Sequence, residues 1–60
     1  MYRVQLKYVE LNSIDSPIVF DCQQFKFRDN SYQFINIIMN NFYIRDLEVS
    51  NEDIALIKIM

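Results

Sequence analysis

The 60-residue chain contains no glycine, no histidine and no tryptophan, and only one cysteine and one proline. Each absence removes a class of chemistry. Without glycine, neither a phosphate-cradling P-loop nor a dinucleotide fingerprint can be built, because both need backbone turns that other residues resist. Without histidine the commonest general base is missing, and with it the Ser–His and Cys–His couples. Cys22 is the only thiol, so no intramolecular disulfide forms. One thiol without an imidazole does not make a zinc site either. The chain reads as no enzyme, with no cofactor, no metal and no small-molecule substrate.

Long apolar runs are missing too. None exceeds four residues, against the roughly 20 that a membrane helix needs. The opening Met1-Tyr2-Arg3-Val4-Gln5 alternates, unlike the apolar stretch of a signal peptide. No membrane association is expected. An unpaired cysteine suits a reducing cytoplasm, the host's cytoplasm if the chain is phage-encoded.

What is present is apolar. These residues make up 52% of the sequence with no help from glycine, whereas ordinary domains reach about 45–50% only when glycine is included. A single domain over residues 1–60 buries about 60% of the surface its unfolded chain exposes. With disulfides and metals excluded, oligomerisation is the remaining supplement to a small core, and surplus apolar surface marks partner contacts. Net charge is −2, divided as +1 over residues 1–28 and −3 over residues 29–60. That distribution lacks the basic footprint of a nucleic-acid protein.

Along the chain, Tyr2, Val4, Leu6 and Tyr8 alternate with Arg3, Gln5 and Lys7, the pattern of a strand with one wet face. A loop follows at Asn12–Pro17, rich in residues that bond their own backbone. Ile18, Phe20 and Cys22 continue the alternation. The phase then slips to Phe25 and Phe27, which predicts a β-bulge or sharp bend near residues 22–24. Asp29-Asn30 and Asn40-Asn41 fall between apolar runs and read as two-residue hairpin turns, since Asn tolerates positive φ. The first turn pairs Phe27 with Tyr32 and Phe25 with Phe34, placing four aromatics on one face. The second pairs Met39 with Phe42 and Ile37 with Ile44. By strict alternation these lie on the face opposite Phe34. The strand 32–39 is then either bent across a barrel or covered on both faces. Residues 46–53 form a polar connection in which Ser50 and Asp53 have capping-box spacing, giving a helical turn near residues 50–53. Ile54–Ile59 reads as a closing strand, with a helix over 51–59 as the competing reading.

The expected fold is all-β: a small antiparallel meander of about five strands, bent or closed. The order of a first strand, a loop, a long bent strand, two hairpins, a short turn and a closing strand resembles the SH3-like and Sm-like small barrels. That resemblance implies an adaptor or an oligomer-forming binding module. The Ile/Asn/Phe/Tyr-rich composition resembles that of short proteins from AT-rich bacteria, their phages and mobile elements.

Three surfaces are candidates. The face of the 32–44 hairpin bearing Ile35, Ile37, Met39, Phe42 and Ile44 is the expected contact with a protein partner or with further copies of the chain. Asp46, Glu48, Glu52 and Asp53 are either a solvated acidic loop or a patch for a basic partner. Their spacing matches no calcium loop. The alternative function rests on Phe25, Phe27, Tyr32 and Phe34, which could stack single-stranded nucleic-acid bases beside Lys26 and Arg28. Core packing is the competing role for these rings, as it is for Cys22.

Overall fold

The structure, a computed structural model, describes residues 1–9 and 17–60. The expected loop at Asn12–Pro17 lies outside the described residues except for Pro17. Five strands form: β1 (Tyr2–Tyr8), β2 (Ile18–Arg28), β3 (Ser31–Met39), β4 (Phe42–Ser50) and β5 (Ile54–Ile59). A 3-10 turn at Asn51–Asp53 joins the last two. All pairings are antiparallel, in one sheet of order β4-β3-β2-β1-β5. Among the described residues no helix is long and apolar enough to cross a membrane.

Both hairpins form in the expected register. Phe27 faces Tyr32 and Phe25 faces Phe34 across the first turn, and Met39 faces Phe42 and Ile37 faces Ile44 across the second. Each turn has both central residues in the left-handed region: Asp29 at φ 53° and Asn30 at 62°, then Asn40 at 49° and Asn41 at 70°. Two consecutive positive φ values define the type I′ turn, whose twist matches that of the flanking strands. With no glycine available, Asn and Asp supply these conformations because their short polar side chains bond locally.

The core contains Val4, Leu6, Phe20, Cys22, Phe34, Ile37 and Val49, all at most 4% exposed. They come from β1, β2, β3 and β4, so among the described residues one face of a single sheet is covered without a second layer. The sheet must therefore curl over its own face. Its connectivity requires the same. Ser50 and Ile54 lie on opposite edges of the sheet, yet four Cα steps span at most about 15 Å, while five flat strands would separate the edges by about 19 Å. Of the two expected forms, bent or closed, the sheet takes the bent one: β4 and β5 are not hydrogen-bonded to each other, and among the described residues both are open edges.

Strict alternation fails inside β3. Phe34 and Ile37 stand three apart, yet both are fully buried, so the expectation that they occupy opposite faces is corrected. The cause is Asn36, at φ 56° in mid-strand. A left-handed residue in a strand resets which side the following side chains leave. The ladder omits Asn36 on both sides: Cys22↔Ile37 and Gln24↔Ile35 flank it in β2, and Ile37↔Ile44 and Ile35↔Asp46 in β4. Neighbouring strands break phase in the same row. Inward positions run from Cys22 to Phe25 in β2 and from Ile44 to Leu47 in β4, also three apart. Of the bulge or sharp bend expected near residues 22–24, the bulge is corrected, because β2 keeps one register against β3 throughout and contains no extra residue. The break in phase itself falls there, between Cys22 and Phe25.

A register shift does occur between β1 and β5. Lys7 faces Leu56 and Tyr8 faces Ile54, leaving Ala55 as the extra residue. This insertion puts the half-buried Ile54 and Ile57 three apart, and that spacing is what made the segment resemble a helix in sequence.

Candidate functional site

Of the three surfaces expected from sequence, the first is divided. Ile37 is fully buried, while Met39 and Ile44 are half-buried and packed on the core. Ile35 lies beyond Asn36, opposite Gln24 and Asp46, on the outer face. Only Phe42 is well exposed, at 73%. Beside it stands Tyr43, at 65%, which sequence reasoning passed over. Tyr43 pairs with the exposed Ile38, and its phenol donates to Asn36 Oδ1 while Asn36 Nδ2 donates to Gln23 Oε1 at 2.6 Å. What remains available is therefore the open edge of β4 and its amino-terminal corner.

The aromatic quartet shares one face, as expected. Phe34 is core and packs edge-on against Phe20, with centroids 5.1 Å apart. Tyr32 stacks parallel on Phe34 at 6.0 Å and meets Phe27 edge-on at 4.8 Å. Burial then decreases outward, with Phe25 and Phe27 forming an exposed rim. Tyr2 joins that rim edge-on to Phe25 at 4.9 Å. Its signal in sequence was the β1 alternation, which places it on the same face as Val4 and Leu6. Lys26 and Arg28 pair with Gln33 and Ser31, on the face away from the rings.

The four carboxylates do not converge. The polar connection expected over residues 46–53 is corrected, because β4 runs on to Ser50. Asp46 and Glu48 project from its outer face, where Leu47 and Val49 between and beside them turn to the core. Only Glu52 and Asp53 occupy the 3-10 turn, and all four carboxylates are exposed. That turn starts where Ser50 Oγ accepts from the Glu52 N–H at 3.3 Å. Among the described residues no three acidic or thiol side chains gather as a cation site would require.

Two further groups have defined electrostatics. The Arg3 guanidinium donates to Asp21 Oδ1 at 3.1 Å, across a directly paired position of β1 and β2. The hydrogen bond, then the charge of Asp21, raises the Arg3 pKa above its ordinary value. The pair is exposed, so it contributes little to stability. Cys22 is fully buried. Desolvation, followed by the nearby negative charge of Asp21, pushes its thiol pKa up, leaving a small hydrophobe in place of a nucleophile. No protein-family model matches this chain, and no curated protein or solved structure matches it either.

Proposed function

We propose that the chain is a non-enzymatic protein-binding β module that assembles with further copies of itself or docks a protein partner along an open sheet edge. One observation carries this reading. The edge strand β4 is nine residues long, has no partner on its outer side among the described residues and contains neither proline nor glycine. Such an edge presents a row of free N–H and C=O groups, which is a template for another strand. Phe42 and Tyr43 add exposed aromatic area at its start. The lack of histidine and the burial of the only thiol support the non-enzymatic half. Multi-angle light scattering at high micromolar concentration tests the assembling half, with species larger than 7.3 kDa expected. A clean monomer that also retains no protein partner would sink the reading.

A second reading has its own observation: Tyr2, Phe25 and Phe27 leave ring surface in solvent at the rim of the aromatic face. Rings so placed can stack unpaired bases. The electrostatics oppose it, because Lys26 and Arg28 leave by the other face and the chain is acidic. Fluorescence anisotropy of a labelled single-stranded oligonucleotide at low salt decides it, and an unchanged signal removes it.

A further inference from the structure

The phase break in β4 has a symmetry of its own. From Phe42 to Ile44 and from Leu47 to Val49 the side chains alternate between core and outer faces, but Arg45 and Asp46 are consecutive and both point outward. Ile44 and Leu47 on either side of them pack on the core, while Tyr43, Arg45, Asp46 and Glu48 are exposed. Read outward from the bond between Arg45 and Asp46, the sequence of faces is the same in both directions: out, in, out, in.

This restricts how β4 can pair with a second β4. In an antiparallel pair, residues directly opposite each other share a face of the sheet. A strictly alternating strand meets that condition about a two-fold axis only if the axis passes through a residue. In β4 an axis through Arg45 would set Ile44 against Asp46 and Tyr43 against Leu47, joining core-facing to outward-facing positions. An axis between Arg45 and Asp46 matches every position from Phe42 to Val49. Arg45 then faces Asp46 of the second copy, Ile44 faces its Leu47, Tyr43 faces its Glu48, and Phe42 faces its Val49.

We propose that β4 is the seam of a two-fold symmetric homodimer, with the axis between Arg45 and Asp46, forming one continuous ten-stranded sheet. This deepens the assembling reading above and rests on it. Charge complementarity identifies the occupant as a second copy. The one register that respects the faces over the full run from Phe42 to Val49 is also the one that sets the strand's only cation opposite an anion, twice, with the outward Glu48 of the second copy on the diagonal. The interface is isologous, as expected of a C2 dimer. The apolar pairs Ile44–Leu47 and Phe42–Val49 extend the core side across the seam and cover Phe42, at 73% the most exposed large apolar side chain of the five strands.

Reciprocal charge reversal tests the register. R45D opposes two acids at each Arg45–Asp46 contact, and D46R opposes two cations. Each variant alone should weaken the dimer about ten-fold or more, since two contacts turn from attractive to repulsive. Mixed in equal amounts, they should form a heterodimer with both ion pairs restored, visible by native mass spectrometry from the mass difference. Both side chains are exposed, so the variants should fold, as circular dichroism would check. Should either fail to fold, amide exchange of wild-type protein still decides: the Phe42–Val49 amides exchange more slowly at higher concentration if β4 is the seam. A wild-type dimer indifferent to both reversals, or concentration-independent exchange in β4, overturns this register and leaves assembly through another surface standing. A wild-type monomer at high micromolar concentration overturns the seam and self-assembly together.

Discussion

Phe34 and Ile37 are three residues apart in one strand, and both are fully buried against the same core. Asn36 makes this possible by adopting φ 56° in mid-strand, a conformation that costs a β-branched residue far more than it costs Asn. Replacing Asn36 with Val should therefore destabilise the fold by about 1–3 kcal/mol, beyond the loss of its exposed hydrogen bonds to Gln23 and Tyr43. Gly fits the backbone at no steric cost, so Asn36→Gly should be much milder. Urea midpoints of the two variants check this, and equal losses would show that the side-chain bonds matter more than the backbone conformation.

The same geometry separates Ile37 from Phe42. Ile37→Ser empties a fully buried site and places a hydroxyl there, costing at least about 3 kcal/mol. A 60-residue domain has roughly 3–9 kcal/mol in total, so this variant should be largely unfolded by circular dichroism. Phe42→Ser should change monomer stability by no more than about 0.5 kcal/mol and should register in the assembly state. If Ile37→Ser instead gave a folded monomer, Ile37 would be a surface residue.

Both hairpin registers and every strand except the second half of β4 could be read from the sequence because each has a local cause, whereas residues 46–50 carry the outward acids Asp46 and Glu48 and read as part of a polar connection. β1 alternates cleanly, and Asp29-Asn30 and Asn40-Asn41 stand where two-residue turns must. The phase slip after Gln23 was visible as well, but its origin was not. A bulge in β2 and a left-handed residue in β3 leave the same trace in a single strand. They differ only in whether the cross-strand register shifts, which is a property of two strands. The candidate surface suffered from the same gap. Assigning Ile35, Ile37 and Met39 to one face assumed unbroken alternation, and one Asn with positive φ moved Ile35 to the outer face and Ile37 into the core. Asn36 offered no signal of its own, since Asn is usual both on strand surfaces and in left-handed positions. Closure depended on the summed curl of five strands, which no local pattern records.

The turns give a further test. Asn41 has the larger φ of its pair, 70°, at the position where type I′ hairpins favour glycine. Asn41→Ala keeps a Cβ but loses the local bonding that makes positive φ tolerable, and should cost about 1 kcal/mol. Asn41→Gly should match or exceed wild type in thermal midpoint. A loss on Gly as large as on Ala would mean that the Asn side chain itself, through a bond beyond its backbone role, holds the turn.

Cys22 ties burial to pH. Its thiol pKa is raised in the folded protein, first by desolvation and then by Asp21, so the native state holds this proton more tightly than the unfolded chain does. The resulting stabilisation is fully present below the ordinary thiol pKa of about 8.5. Above that pH the unfolded chain ionises first, and stability falls as pH rises towards the folded value. The measurement is a comparison with a variant that lacks the thiol. Urea midpoints of wild type and Cys22→Ala should differ by a constant at pH 6–8, and the wild type should lose ground relative to the variant above about pH 8.5. A thiol reagent at pH 8 should react with native protein only as fast as the protein opens, and with unfolded protein at once. Rapid labelling of folded protein would show that Cys22 is reachable, and the reading of that site as inert core would fall.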